Sequence, residues 1–186
     1  MRLTRLLVPF VLLVAFSACG GGGGGGTGGT AAIASTPPPT ITGRFQVPNN
    51  GVANYSGFMN LSLPSGTGRE VATGSLSLAI DFGASSDQVS GTATGFSVLS
   101  SGTLTGQLFI TDGDIRAEQG NDPPGFEAEI SGTLKGGTLV NTLITGDVVA
   151  DFDTTDVSAA SGTVFGDVTT SQGIDIFDGS FSAGKQ

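Results

Sequence analysis

The chain contains no histidine and no tryptophan, and it has a single cysteine, Cys19, and a single tyrosine, Tyr55. Without imidazole, and with one thiol, it cannot assemble a histidine or thiolate metal site or use a histidine general base. Ser-His-Asp and Cys-His devices are excluded for the same reason. Only Met59 or Tyr55 remains as an axial heme ligand, so no cofactor is expected. Basic residues are also scarce, with 7 Lys and Arg against 16 Asp and Glu. A chain of that charge repels nucleic acid and anionic lipid, and neither is expected as a partner. Long apolar runs are missing as well. The longest, Leu6 to Phe16, is about half of the ~20 residues a helix needs to cross a bilayer.

That short run has the setting of an export signal. Arg2 and Arg5 precede it, and the small residues Ser17 and Ala18 follow it, giving the charged, apolar and cleavage regions in order over residues 1–18. Phe16-Ser-Ala-Cys19 resembles the lipobox of bacterial lipoproteins, with Phe16 where leucine is usual. The resemblance implies cleavage before Cys19, a thioether-linked diacylglycerol on its sulfur and an amide-linked acyl chain on its new amino group. One acyl chain gives only marginal membrane binding, whereas this combination anchors stably. The alternative is an ordinary signal peptide cut near Ala18, which leaves a free thiol exposed in an oxidising compartment. Gly20, not aspartate, follows the cysteine. By analogy with enteric sorting this favours the outer membrane, on its periplasmic or cell-surface side. Loss of Arg2 and Arg5 leaves five basic residues against the 16 acidic ones, a net charge near −11.

Residues 19–40 read as the lipidated cysteine and a tether. Gly20 to Gly26 is unbroken glycine and the segment ends in Pro37-Pro-Pro39. Glycine pays the largest entropy on ordering and offers nothing to pack, while the prolines stiffen the last stretch. Such a tether spans roughly 25 Å on average and holds the remaining chain, residues 41–186, clear of the lipid. That remainder is long enough for one domain with its own core.

The domain alternates with period two and shows no sustained helical period. Gly74, Leu76, Leu78, Ile80 and Phe82 share one face, and Phe126, Ala128, Ile130, Gly132 and Leu134 another. Tyr55 to Leu63 and Val140 to Phe152 repeat the pattern. This is the signature of strands with one buried and one wet face. Turn chemistry separates them at Pro48–Gly51, Pro64–Gly66, Asp112-Gly-Asp114, Asn121–Gly125 and Gly136-Gly137. The string Ser-Gly-Thr-x-x-Gly recurs at 90–95, 101–106, 131–136 and 161–166. Strand-interior glycine is unfavourable except where a sheet coils sharply or another group comes close. The last three copies start 30 residues apart, a spacing that suits every second strand.

These features predict an all-β domain, a small antiparallel up-and-down barrel of about eight strands, which hides its edges. A solenoid is the alternative, but the residues between the copies do not repeat. Phe58, Phe82, Phe96, Phe109, Phe126, Phe152, Phe165, Phe177 and Phe181 are expected to fill the interior.

Cys19 with its glycine tract, the strand Ile130-Ser-Gly-Thr-Leu134 and the end Ser161-Gly-Thr-Val-Phe-Gly166 … Asp178-Gly-Ser-Phe181 together resemble the transferrin-binding protein B-like lipoprotein barrels. This family of lipidated, surface-exposed β-barrels includes factor H-binding protein-like members. Phe165-Gly166 lacks the tyrosine usual between them, and Asp178 stands where glycine is usual. The resemblance implies a barrel displayed on a lipid anchor. It does not extend to the loops and companion subdomain through which the transferrin receptor binds.

Two groups of carboxylates are candidate sites. Asp112, Asp114, Glu118 and Asp122 have the hard oxygens calcium requires but not the EF-hand order, and a solvated turn accounts for them equally. Asp151, Asp153 and Asp156 invite comparison with glycoside hydrolases, yet the aromatics that line a sugar cleft are missing. No catalytic residue is assigned. The leading expectation is a non-enzymatic, membrane-anchored lipoprotein that binds a host or environmental partner through loops. The contacts expected are Asn49, Asn50, Asn54, Asn121, Asp122, Pro123 and Pro124. The alternatives are a tethered barrel holding a small molecule inside or at its mouth, and a structural envelope lipoprotein with no ligand.

Overall fold

A computed structural model describes residues 46–186 apart from 67, 121, 138, 154 and 155. The segments read as an export signal and a tether, with Cys19, lie outside the described residues, as does Asn121. Nine strands form: β1 (Val52–Ser65), β2 (Gly68–Asp81), β3 (Val89–Val98), β4 (Gly102–Thr103), β5 (Thr105–Arg116), β6 (Gly125–Gly136), β7 (Leu139–Phe152), β8 (Ala159–Thr170) and β9 (Gly173–Lys185). No helix forms among the described residues.

Each long strand pairs antiparallel with the next, and β9 returns to pair with β1, from Tyr55 opposite Lys185 to Ser62 opposite Asp178. The sheet therefore closes into an eight-stranded barrel, with β4 as a short extra strand paired only to β3. Closure removes the long unpaired edges that a stack of coils would leave at its ends.

Period two decides what is inside. In β1, Ala53, Tyr55, Met59, Leu61 and Leu63 are buried, and in β2 Ala72, Leu76, Leu78 and Ile80. One hydrophobic cluster runs through every long strand and occupies the interior with the protein's own side chains. Burial of each large aliphatic or aromatic group contributes about 1.5–3 kcal/mol. Near one end Phe82, Phe152, Phe126 and Phe181 form a chain of rings, with successive centroids 6.1, 5.9 and 6.1 Å apart. The outer face is mostly serine, threonine, asparagine and carboxylate: Ser56, Asn60, Ser75, Ser77, Glu127, Glu129 and Asp147 all point out. A barrel that crosses a membrane needs the reverse arrangement.

Several expectations are corrected. Phe58, Phe109 and Phe165 are exposed on the outer surface (65%, 43% and 45%). Each falls on the opposite parity from its buried neighbours, such as Met59, Leu108 and Val164, and parity overrides hydrophobicity within a strand. Asp112-Gly-Asp114 is not a turn. It is a bulge inside β5, where the pairing with β6 shifts between Thr111 and Asp114 and Asp112 takes φ 54°. The bulge turns Gly113 into the core, opposite Val89 of β3. Asp-Gly serves a bulge as well as a turn, because both need a residue with positive φ. The glycine string at 101–106 forms β4 and the entry to β5, so it does not take a place among every second strand; the copies in β3, β6 and β8 do share one direction.

One seam is closed by side chains. Beyond Asp178 the early part of β9 leaves β1, and Arg69 reaches across from β2. Its guanidinium donates to the Ser62 hydroxyl (2.8 Å) and carbonyl (2.7 Å), to Asp178 Oδ1 (2.7 Å) and to the Ile176 carbonyl (3.1 Å).

Candidate functional site

The two ends of the barrel differ. At one end tight connections join β1 to β2, β6 to β7 and β8 to β9. At the other, longer loops join β2 to β3 (82–88), β5 to β6 (117–124) and β7 to β8 (153–158), and the chain enters the barrel there through residues 46–51. Loops on a rigid frame are where binding residues concentrate, and this loop end is the candidate site.

Backbone and side-chain bonds hold the loops in place. Phe82 N–H donates to the Gly51 carbonyl (2.9 Å), which ties the entry segment to the end of β2. The Ile115 N–H donates to Gln88 Oε1 (3.0 Å) and the Asp87 N–H to Asp114 Oδ1 (3.1 Å), which pins the β2–β3 loop on the end of β5. Phe152 N–H donates to the Pro124 carbonyl (2.9 Å). Gln119 and Asp122 exchange two backbone bonds and close the tip of the β5–β6 loop.

Between these segments lies an open cavity of about 710 Å³. The entry segment forms one wall with Gln46, Val47, Pro48 and Asn49. Gln88 and Ile115 line a second side, and Ala117, Glu118 and Pro124 a third. Gln46, Asn49 and Gln88 contribute primary amides, Val47, Pro48, Ile115, Ala117 and Pro124 contribute apolar surface, and Glu118 is the single charged residue among these nine. That chemistry suits a neutral or cationic group with some apolar surface. Asn49 and Pro124, 75 positions apart in the chain, share this cavity.

The other expected contacts distribute around it. Asn50 is exposed beside Asn49, to whose Oδ1 its amide donates (3.1 Å). Asp122 is exposed at the loop tip and Pro123 is half-buried. Asn54 is not in a loop: it lies within β1, and its carbonyl accepts the Gln186 N–H (2.9 Å). Gln46, Val47, Gln88, Ile115 and Ala117 carry no motif in the sequence. They become a site only through the closure that brings β5 beside β3 and the entry segment.

Among the described residues no group of three or more carboxylates is placed to hold a metal ion. Asp112 and Asp114 are held in the bulge, where Asp114 accepts the Asp87 N–H. Of the second acidic group, Asp151 is paired with Arg116 Nη2 (2.7 Å) across β6. Hydrogen bonds from Ser158, its hydroxyl and then its N–H, hold the Asp156 carboxyl below the usual range.

Tyr55 locks the β7–β8 loop. Its hydroxyl, 1% exposed as a residue, donates to the Val157 carbonyl at 2.6 Å, 102 positions along the chain. Burial, and secondarily the negative charge of Asp156, push the phenol up from 10.0 to about 12. The folded state thus keeps a proton that the unfolded chain releases near pH 10. The stability this provides is full below pH 10 and is lost as pH rises toward 12, at ~1.4 kcal/mol per pH unit. Tyr55→Phe is expected to cost about 1–2 kcal/mol at neutral pH by orphaning the Val157 carbonyl. It should also remove the alkaline loss: between pH 9 and 11 the wild type should lose about 1 kcal/mol more than the variant in urea unfolding. Parallel curves would show that the phenol is not buried as described.

Comparison of the chain with models of protein families, with curated proteins and with solved structures gave no match.

Proposed function

We propose that the chain is a non-enzymatic lipoprotein of the bacterial outer membrane that presents a barrel similar in build to the transferrin-binding protein B-like family and binds a partner protein at its loop end. The observation that carries this reading is the convergence of the entry segment and the β5–β6 loop on one open cavity. Both segments stand out in the sequence as loops rich in asparagine and proline. The interior supports it too. A barrel filled by its own Phe, Leu and Val side chains leaves recognition to its ends and outer surface.

A second reading is favoured by the cavity's volume, which falls within the range of small-molecule pockets. With the interior occupied, such a ligand would sit at the mouth and not inside the barrel. Photo-crosslinking groups placed at Asn49, Ala117 and Glu118 of the full chain in its own bacterium test both readings. Discrete protein adducts at these positions, with none from a group at Ser77 on the barrel wall, are the expected result. A small mass that co-purifies with the protein in native mass spectrometry, without protein adducts, would transfer the site to the second reading. Adducts from Ser77 alone would overturn both.

A further inference from the structure

We propose that the outer face of β7, β8 and β9, remote from the loop-end cavity in its lining residues, is a docking surface for a cationic protein segment that also carries apolar side chains. The strand register lays out three rows on this face. Leu143, Thr169 and Ile174 are opposite one another, then Thr145, Asp167 and Ile176, then Asp147, Phe165 and Asp178. Strands are ~4.8 Å apart and alternate residues ~6.8 Å apart, so the rows make a compact patch on the order of 10 by 14 Å.

Four of its nine residues are large and apolar. Ile174 is 72% exposed, Ile176 63%, Phe165 45% and Leu143 44%. Elsewhere on the outer wall an exposed aromatic stands alone. Phe58 is flanked by Ser75 and Ser182, and Phe109 by Thr92 and Ser131. Single exposed apolar residues are ordinary, whereas a contiguous set marks a contact surface.

The charges decide which contact. Asp147, Asp167 and Asp178 lie within the patch, and Glu129 continues the third row in β6. Asp178 is neutralised by Arg69. Asp147 and Asp167 are exposed and form no ion pair with any described residue. A second copy of the same face would set aspartate against aspartate, and an anionic lipid surface is repelled in the same way. Lysine or arginine and apolar residues taking turns along one side of an extended segment, at every second position, meet both features. In an extended segment side chains on one side recur at the spacing of the rows.

The surface ends at a managed strand edge. Where β9 parts from β1, the Ile176 N–H donates to Asp175 Oδ1 (2.7 Å) and its carbonyl accepts from Arg69. Recognition is thereby left to side chains on the face.

The test uses the full chain, labelled for amide NMR, and three short synthetic peptides with serine at every second position, the positions between them alternating lysine and valine, lysine and serine, or glutamate and valine, so that both residue types fall on one side. Shifts from the lysine–valine peptide are expected to concentrate at Leu143–Asp147, Phe165–Thr169 and Ile174–Asp178. The other two peptides should bind at least about tenfold more weakly. Asp167→Asn with Ile176→Ser should weaken the lysine–valine peptide by about tenfold or more. Asp167→Asn alone, an exposed isosteric change, keeps the test readable if the double variant unfolds. Shifts spread evenly over all carboxylates, or affinity unchanged in the variants, would overturn the proposal. A concentration-dependent dimer abolished by Ile176→Ser would overturn it in favour of a second copy. The loop-end reading does not enter this experiment, and each can fail without the other.

Discussion

Gly166→Ala should destabilise the barrel by at least about 3 kcal/mol, among the largest effects expected of any single methyl group in this chain. Gly166 of β8 lies opposite Gly146 of β7. A Cβ on Gly166 would overlap the Thr145 carbonyl and the Gly146 Cα, and would reach the Phe177 ring at 3.0 Å. On Gly146 it would overlap the Phe165 carbonyl and the Gly166 Cα. The nearest of these neighbours are backbone atoms in a hydrogen-bonded ladder, so relief requires both strands to shift. Gly184→Ala is the control. Gly184 is also in β9's ladder, yet its Cβ would meet nothing within 4 Å. Urea unfolding of the mature protein should show Gly166→Ala far below wild type and Gly184→Ala within about 0.5 kcal/mol of it. Equal effects would mean that the close approach of β7 and β8 does not exist.

Cys19→Ser should have the largest effect on location. If the lipobox-like segment is read by the lipoprotein pathway, the sulfur is the atom that becomes acylated, and serine cannot replace it. The barrel itself offers the bilayer little. Its outer face is polar and acidic, with exposed apolar residues confined to scattered positions and one patch that carries aspartates. On the proposed reading, membrane binding comes from acyl chains on Cys19, worth ~0.8 kcal/mol per buried methylene. The wild type should fractionate wholly with membranes and the variant with the soluble fraction. Continued sedimentation of Cys19→Ser with membranes would defeat the anchor.

The barrel was legible in the sequence because alternation is a local signal: the inward sets in β1, β2, β6 and β7 can be read residue by residue. Closure was less so, since the pairing of β9 with β1 joins residues more than a hundred positions apart. The misplaced residues share one cause. Hydrophobicity alone places Phe58, Phe109 and Phe165 inward, while strand parity, which holds between bulges once the register is set, sends them out. Asp112-Gly-Asp114 announces a positive φ but not whether the chain reverses there or merely bulges. At the site, Asn49 and Pro124 were visible as loop residues. Gln88 and Ile115 were not, because their place beside the entry segment depends on the barrel's curvature and leaves no local trace.

The account turns on where the mature chain begins and what that first residue carries. Mass analysis of the amino-terminal peptide of the protein from its own membranes measures this directly. The account predicts a peptide that begins at Cys19 and bears a thioether-linked diacylglycerol and an amide-linked acyl chain. A peptide with an unmodified thiol, or a chain that begins elsewhere, would contradict it.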